Sequence, residues 1–330
     1  MQANVFDSDI FTLTSLTAAV NKQDPVPGRI GQLGLFQEAG VTTTTVSIES
    51  KEGKLSLVKN TDRGAPGQVA ERVDRKMISF STMHLPQVDT VMADEVQNVR
   101  AFGTESQLQP IQTLVNDKQA IMRANLDATT EYHRVGAIQG KVMDSDGETV
   151  INDLYTQFGV TKQTKTIDFS ATDFDARNLG RELKRDSKRQ LGNVMVPRHR
   201  VLCGSEFFND LISAESTKAA WERYNDGEAL RNDPMGGFMF GGVIWEEYAD
   251  EINGDPLIDA DKAHFVPEGV NGLFITRFAP ANLMTTVNTM GLPYYSHVEP
   301  IGERGVELYV QSNPIHLCTV PGAIIELTSS

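Results

Sequence analysis

The longest regular pattern in this chain is an amphipathic stretch at 106–139. Apolar side chains recur there mostly at spacings of three, four or seven residues, at Leu108, Ile111, Val115, Met122, Leu126, Tyr132 and Val135. Ser106 is a suitable N-cap, and Gly140 follows the predicted end. A helix of about 30 residues is roughly 45 Å long, which exceeds the expected width of a compact domain. The stretch therefore predicts either a strut that extends along several elements or an ordinary core helix of an α+β protein.

Two segments before this helix cannot bury themselves. Residues 1–40 carry one short helical pattern after a Thr12 cap, and such a helix is unstable alone. Residues 41–49 and 73–85 have the composition of strands, and a polar, glycine-rich tip at 60–67 lies between them. Because an isolated hairpin is marginal in water, we expect an extended hairpin that needs a partner surface. An ordinary β-meander within one subunit is the alternative.

Charge is distributed unevenly along the chain. The 330 residues carry a net charge of −14, which argues against a broad surface that grips nucleic acid. Segment 51–76 has seven Lys or Arg against four Asp or Glu, whereas 226–268 has two against eleven. These segments are either two solvated surfaces, or the basic one is an arm that docks on an acidic neighbour.

The second half of the chain alternates helical and strand patterns. A helix is predicted at 172–190, with Thr172 and Asp175 at its start. Its basic end at 184–189 is either solvated or in contact with phosphate. A buried strand at 201–203 precedes a helix at Phe207, and short strands follow to the end of the chain. This order predicts a mixed α+β body.

No motif for metal binding stands out. The six histidines show no HxH or HExxH spacing, and Cys203 and Cys318 lie in apolar settings that predict two reduced core thiols. The loop at 144–149 has acidic residues, but Tyr155 occupies the twelfth position, where calcium needs a carboxylate. A hairpin turn is the better prediction there.

The catalytic and cofactor motifs are equally absent from the sequence. The glycine-rich segment 28–34 departs from GxGxxG and from the phosphate loop. His316 and Cys318 are a conceivable base and thiol, but no third group orients them. We therefore predict no catalytic residue, no cofactor and no metal. No apolar run reaches the length of a membrane span, and the N-terminus lacks the pattern of a signal peptide.

In order, the chain comprises an arm, an extended hairpin, one long helix, a body with acidic loops and a closing strand. The residues that carry a family match are His84, Leu85, Pro86, Asp89 and Ala93 before the helix, 140–150, Tyr155, Phe158 and Gly159 after it, and then 201–203, Phe207, Phe208, 265–267, 311–314 and Pro321. This order resembles the Hong Kong 97-type fold of the major capsid proteins of tailed bacteriophages. Within that fold, it resembles the lambda-like major capsid protein E family.

The resemblance implies an α+β fold with a defined division of the chain. Residues 1–42 would form the N-terminal arm, and 43–85 the extended hairpin loop, or E-loop. The peripheral domain would comprise 86–140 and 295–330 with the spine helix 106–139. The axial domain would comprise 141–294.

The resemblance also implies function and partners. Copies of the chain would form hexamers and pentamers of an icosahedral head that encloses double-stranded DNA, contacted non-specifically. Portal, scaffolding and decoration proteins would be further partners, and no membrane is involved. The chain would be made in the host cytoplasm, reside in the virion and have no enzymatic activity. Inter-subunit contacts of the hairpin loop would involve its basic residues, Lys54, Lys59, Arg63, Arg72 and Arg75.

Some members of the fold form an isopeptide cross-link through a hairpin lysine. Lys54 and Lys59 are available, but no partner residue matches, so we predict no cross-link. Two alternative functions remain open from the sequence. One is an encapsulin-like shell that holds enzyme cargo, and the other is a soluble α+β enzyme.

Overall fold

The structure is a computed structural model that describes residues 6, 8–25, 28–51, 75–96, 108–192, 194–226, 237–252, 254–302 and 304–330. The α-helices are α1 (Leu13–Lys22), α2 (Arg29–Leu33), α3 (Ala93–Val96), α4 (Leu108–Gln139), α5 (Leu154–Phe158), α6 (Ala176–Leu191), α7 (Ser205–Ser213) and α8 (Glu215–Asp226). The strands of the first half are β1 (Gln37–Gly40), β2 (Thr45–Lys51), β3 (Arg75–Ser81), β4 (Leu85–Met92), β5 (Lys141–Met143), β6 (Val150–Asp153) and β7 (Gln163–Ile167). The remaining strands are β8 (Arg198–Cys203), β9 (Phe238–Phe240), β10 (Val243–Glu247), β11 (Glu251–Ile252), β12 (Asp255–Pro256), β13 (Lys262–Glu268), β14 (Phe274–Phe278), β15 (Tyr295–Pro300), β16 (Gly305–Ser312), β17 (Pro314–Cys318) and β18 (Ile325–Ser329). The predicted α+β class is confirmed.

The chain forms two compact units. The first contains residues 1–46, 80–132 and 276–316, and the second contains 47–79, 133–275 and 317–330. Among the described residues, no helix is both long enough and apolar enough to cross a membrane.

An antiparallel sheet organises the first unit, with strand order β15-β16-β4. Alternate residues of β16 are buried, and they pack with apolar residues of α1 and α4 in one core cluster. That cluster contains Phe11, Leu16, Val20, Val91, Ile111, Val115, Met122, Leu126, Val306, Leu308 and Val310. Strand β4 lies at the edge of the sheet, where it tolerates Pro86 opposite Gln311.

Helix α4 confirms the long helix expected at 106–139, from Leu108 to Gln139 within the described residues. Its 32 residues correspond to about 48 Å. Residues 108–132 belong to the first unit, where Arg123 binds α1. The guanidinium Nη1 donates a hydrogen bond to the Val20 carbonyl oxygen at 2.7 Å and another to the Gln23 carbonyl oxygen. Because Arg123 is buried, these bonds attach the short N-terminal helix to α4.

A six-stranded mixed sheet organises the second unit, with strand order β7-β18-β13-β8-β10-β9. On one face, alternate residues of the central strands are apolar and pack against α6 and α7. The strand residues on this face are Val201, Cys203, Val243, Trp245, Ala263, Phe265, Ile325 and Leu327. The predicted buried strand at 201–203 is therefore confirmed as the end of β8, near the centre of this sheet.

Helix α6 begins later than the sequence indicated. It starts at Ala176 and not at Thr172, because the Asp175 side chain accepts a hydrogen bond from the Arg177 backbone N–H at 2.8 Å and acts as the cap. Residues 171–174 form a turn instead, closed by the Phe174 N–H on the Ala171 carbonyl. The turn places Phe174 against the core of the sheet. Packing of the Phe174 ring thus overrides the helix start at Thr172 that local propensity predicted.

Candidate subunit-contact surfaces

Residues that suggested chemistry in the sequence are placed in structural roles. Both cysteines are free and buried, and burial raises the pKa of the Cys318 thiol to about 12. His316 Nδ1 lies 2.9 Å from the Thr276 hydroxyl, so the base that the sequence offered to Cys318 has a different partner. No group of three or more His, Cys, Asp or Glu side chains within the described ranges is arranged to hold a metal ion.

The glycine-rich segment 28–34 forms α2, and its N-terminus is already occupied. Glu131 of α4 accepts hydrogen bonds from the backbone N–H groups of Ile30 at 2.5 Å and Gly31 at 3.1 Å. A Cβ at Gly28 would lie 2.3 Å from the Glu131 side chain, which explains the glycine. A carboxylate of the chain itself therefore occupies the position where a phosphate would bind a helix N-terminus.

The acidic loop at 144–149 is a turn between β5 and β6, as predicted. Asp146 accepts hydrogen bonds from the backbone N–H groups of Glu148 and Thr149, at 2.9 and 2.8 Å, and from the Thr149 hydroxyl. The bonds from Thr149 are the main cause of a lowered pKa of the Asp146 carboxyl. These bonds use the carboxylate to close the turn.

Strands β2 and β3 form a two-stranded sheet of their own. The Ser47 and Ser79 hydroxyls lie 3.0 Å apart across this pair, and Met77 is 72% exposed. Of the basic residues predicted to make inter-subunit contacts, Lys54, Lys59, Arg63 and Arg72 lie outside the described residues. Arg75 is the first residue of β3, and its side chain also lies outside the described part. Their contacts stay a prediction.

A second exposed feature is an apolar loop in the first unit, at 284–292. Four large apolar side chains are exposed in this short segment, namely Met284, Val287, Met290 and Leu292. The loop is held at its end by a hydrogen bond from the Gly291 N–H to the Val41 carbonyl oxygen at 2.9 Å. Clustered exposed apolar residues mark protein contacts, and methionine adapts readily to a partner surface. This surface was not predicted from the sequence, although two methionines beside glycine, threonine and asparagine were a visible signal.

The basic residues of α6 form the third feature. The sequence indicated a basic helix end at 184–189. In the structure, exposed cations extend further along the helix, from Arg177 to Arg189. A shallow concavity of ≈ 400 Å³ is lined by Arg185, Lys188, Arg189 and Gly192. In the described part of the chain, three surfaces therefore carry exposed side chains that are available for contacts with other molecules.

Known proteins with similar sequences are capsid proteins. The sequence model of the family described as phage major capsid protein E matches residues 12–329. The major capsid protein of Salmonella phage Felix O1 (isolate Felix O1-VT1) is 27% identical to this chain in an alignment 357 residues long. The alignment covers 96% of this chain and 96% of that protein. The major capsid protein of Pseudomonas phage KPP10 is 27% identical over 340 residues, with the same coverage of 96% for each chain.

Solved structures give the fold. The crystal structure of a prophage capsid protein from Escherichia coli CFT073 aligns with a TM-score of 0.59 and 12% identity, and covers 97% of this chain and 99% of that one. The native capsid of a GTA particle aligns with a TM-score of 0.51. These alignments confirm the predicted Hong Kong 97-type fold. Because the family match extends over nearly the whole sequence, the chain belongs to the phage major capsid protein E family.

Proposed function

We propose that this chain, as a major capsid protein of phage heads, assembles into the hexamers and pentamers of an icosahedral shell around double-stranded DNA. The observation that carries the proposal is the family match over residues 12–329, together with a fold shared with capsid proteins. The encapsulin-like and enzyme alternatives are not favoured, because the matching family and its curated relatives are phage major capsid proteins.

The family match supports a division of labour along the chain. We assign residues 1–42 to the arm, 43–85 to the E-loop, 86–140 and 295–330 to the peripheral domain, and 141–294 to the axial domain. The separate β2-β3 sheet supports an extended loop, since its strands pair only with each other among the described strands. The exposed apolar loop at 284–292 supports further contacts between copies.

Partners other than the chain itself follow from the same proposal. Portal and scaffolding proteins would direct assembly, and a decoration protein would bind the outer surface. The packaged DNA would be contacted non-specifically, which the net charge of −14 supports because it limits adhesion to phosphate. The role is mechanical and non-enzymatic, with synthesis in the host cytoplasm and residence in the virion.

Sedimentation and negative-stain microscopy of the purified chain test the proposal. We expect large, regular particles, or particles once a scaffolding protein is co-expressed. A stable monomer that assembles under neither condition would contradict it. On a denaturing gel, mature particles should give monomer-sized bands, and a ladder of multimers would show that the prediction of no cross-link is wrong.

The basic residues of the hairpin loop call for a separate experiment. Charge reversal to Glu at Lys54, Lys59, Arg63, Arg72 and Arg75 should prevent assembly without changing the melting temperature of the unassembled chain. A control of equal charge change compares reversal of three hairpin residues, Lys54, Lys59 and Arg63, with reversal of three exposed cations elsewhere, Lys22, Lys218 and Arg304. If both variants lose particles equally, net charge causes the loss. That result would contradict a specific role of the hairpin loop.

A further inference from the structure

Helix α6 carries a concentration of positive charge in an acidic chain. Its 16 residues include six cations, Arg177, Arg181, Lys184, Arg185, Lys188 and Arg189, against two acids, Glu182 and Asp186. A residue three or four positions along a helix lies on the same face. Arg181, Arg185 and Lys188 therefore share one face, and all three are exposed. We call these three residues the basic face.

The basic face is left unpartnered, whereas the other charges of α6 are used. Lys165 of β7 binds both acids, at 3.4 Å from Glu182 and 2.8 Å from Asp186. Arg189 also binds Asp186, at 3.0 Å, and Lys184 donates a hydrogen bond to the Gly241 carbonyl oxygen at 3.1 Å. Within the described residues, by contrast, the three side chains of the basic face have no ion pair or hydrogen bond.

The helix dipole does not account for this face. A cation in the last turn is favoured by the partial negative charge there, which covers Lys188. Arg181 lies in the first half of α6, where this effect is absent or adverse. Burial does not account for it either, because all three side chains are exposed. Three exposed cations on one face, without an ion pair to a described residue, are therefore available to a partner outside the chain.

The same unit carries a surface of opposite charge. Glu247 ends β10, and Glu251 and Asp255 lie on the two short strands β11 and β12 of the hairpin that follows. All three are exposed, and none forms an ion pair with a described residue. We call these three residues the acidic hairpin.

The two surfaces lie at opposite ends of β10. Helix α6 packs beside the start of this strand, since a Cβ at Gly180 would lie 3.2 Å from the Gly241 carbonyl oxygen. The acidic hairpin follows the other end, where the Tyr248 N–H binds the Cys203 carbonyl oxygen at 2.8 Å. Five residues of strand separate the ends by about 13 Å. Among the described residues, no ion pair joins the two surfaces within one copy.

The geometry points to a head-to-tail contact in which the basic face of one copy binds the acidic hairpin of the next copy. Contacts in a ring of identical subunits join two different patches of the same chain, so two complementary patches on one unit fit such a ring. Three pairs of opposite charge set the orientation of neighbours and disfavour like-charged arrangements. This inference rests on the proposed assembly into rings and names one of the surfaces that close them.

A second copy fits the basic face better than nucleic acid does. The chain as a whole carries −14, and this field repels a polyanion outside the immediate surroundings of the helix. A second copy supplies three exposed carboxylates for the three cations. Nucleic acid as the partner can be tested separately. If the basic face binds nucleic acid, charge reversal there should reduce the DNA that particles retain and should leave particle formation unchanged.

Charge reversal on each surface tests the contact. The helix variant carries Arg181→Glu, Arg185→Glu and Lys188→Glu, and the hairpin variant carries Glu247→Lys, Glu251→Lys and Asp255→Lys. Each variant should reduce the assembled fraction at least tenfold in sedimentation. A swap variant with all six changes should restore particles, because the pairs become complementary again. Mixing the helix and hairpin variants should restore only six-membered rings, since two variants can alternate around an even ring but not around a ring of five.

Controls separate the contact from folding and from net charge. Lys218→Glu and Glu222→Lys alter exposed charges of α8 in the same unit and should leave assembly unchanged. Fluorescence of the buried Trp245 should show that every variant folds, and Arg185→Glu alone provides a milder change if the triple helix variant unfolds. Wild-type assembly of this folded single variant would overturn the pairing.

Three further results would overturn the inference. One is wild-type assembly in the folded helix or hairpin variant while wild-type chain itself forms particles. Another is failure of the folded swap variant to restore assembly. A third is normal assembly of the helix variant with loss of retained DNA, which would assign the basic face to nucleic acid. Failure of the wild-type chain to assemble would instead contradict the proposed function.

Discussion

The carboxylate of Glu131 on α4 accepts a hydrogen bond from the backbone N–H of Ile30 at 2.5 Å, across a sequence separation of 101 residues. A second bond comes from the Gly31 N–H at 3.1 Å. Both donors belong to the first turn of α2, whose N–H groups have no partner within the helix. The long helix therefore supplies the cap for a short helix of the N-terminal segment, and this contact attaches that segment to the first unit.

Glu131→Gln should weaken this attachment. The amide keeps one acceptor oxygen but loses the negative charge, so we expect the free energy of unfolding to fall by about 1–2 kcal/mol. Hydrogen exchange of the Ile30 amide should accelerate more than that of amides in the β15-β16-β4 sheet. Asp117→Asn on an exposed position of the same helix is the control and should leave both quantities unchanged. Unchanged exchange at Ile30 would contradict a capping role.

Ala124→Pro should break α4 near its middle. Proline removes a backbone donor and clashes with the preceding turn, at a cost of about 3 kcal/mol or more. Because Met122 and Leu126 pack in the core of the first unit on either side, the break should also abolish particles in negative stain. Ala128→Ser at an exposed position of the helix is the control. Normal particles from the proline variant would show that an intact long helix is not needed for assembly.

Arg200 binds two buried carboxylates in the second unit, Glu246 and Glu268 on neighbouring strands. Arg200→Met should lower the free energy of unfolding by about 3–5 kcal/mol, because it leaves two buried charges without their main partner. Arg198 also contacts Glu268, at 3.3 Å, but its side chain is 68% exposed. Arg198→Met should therefore cost less than about 1 kcal/mol.

Denaturation followed by the fluorescence of Trp245 measures both arginine variants, since this residue is buried in the same sheet. Equal destabilisation by the two substitutions would mean that the burial of Arg200 does not determine its contribution to the free energy of unfolding. A gain in stability on replacing Arg200, Glu246 and Glu268 together by apolar residues would be consistent with the expected cost of burying charge.

Acid should destabilise the second unit through its buried histidines. Burial lowers the pKa of His264 to about 4. The carboxylates of Glu326 and Asp259 partly oppose this decrease, whereas the ammonium groups of Lys162 and Lys262 add to it. Between pH 4 and 6.5 the unfolded chain therefore binds more protons than the folded one. The stability from this group is complete above pH 6.5 and falls as the pH falls towards 4, by roughly 3 kcal/mol in all.

His264→Gln should make the free energy of unfolding depend less steeply on pH across that window. His133, whose pKa burial also lowers to about 4, is a second site at which the same substitution should flatten the curve. Between pH 7 and 8 neither variant should change the slope. A slope between pH 4 and 6.5 that is unaltered in both variants would contradict the prediction that these histidines are buried in neutral form.

The sequence by itself determined the elements whose signal is local. The apolar spacing of three and four residues predicted α4, since a helix repeats every 3.6 residues. The strand-like composition at 41–49 and 73–85 predicted the strands of the β2-β3 pair. The order of these elements indicated the capsid family. Apolar surroundings likewise predicted that Cys203 and Cys318 are free and buried.

Only the tertiary structure decided which polar groups are paired and which are free. Glu131 reaches Ile30 across 101 residues, and Lys165 on β7 neutralises the acids of α6 while the basic face stays exposed. It also moved the start of α6 to Ala176, because Phe174 packs into the core of the sheet. Periodicity reports local geometry, whereas the partner of a charge depends on residues that come together only in the folded chain.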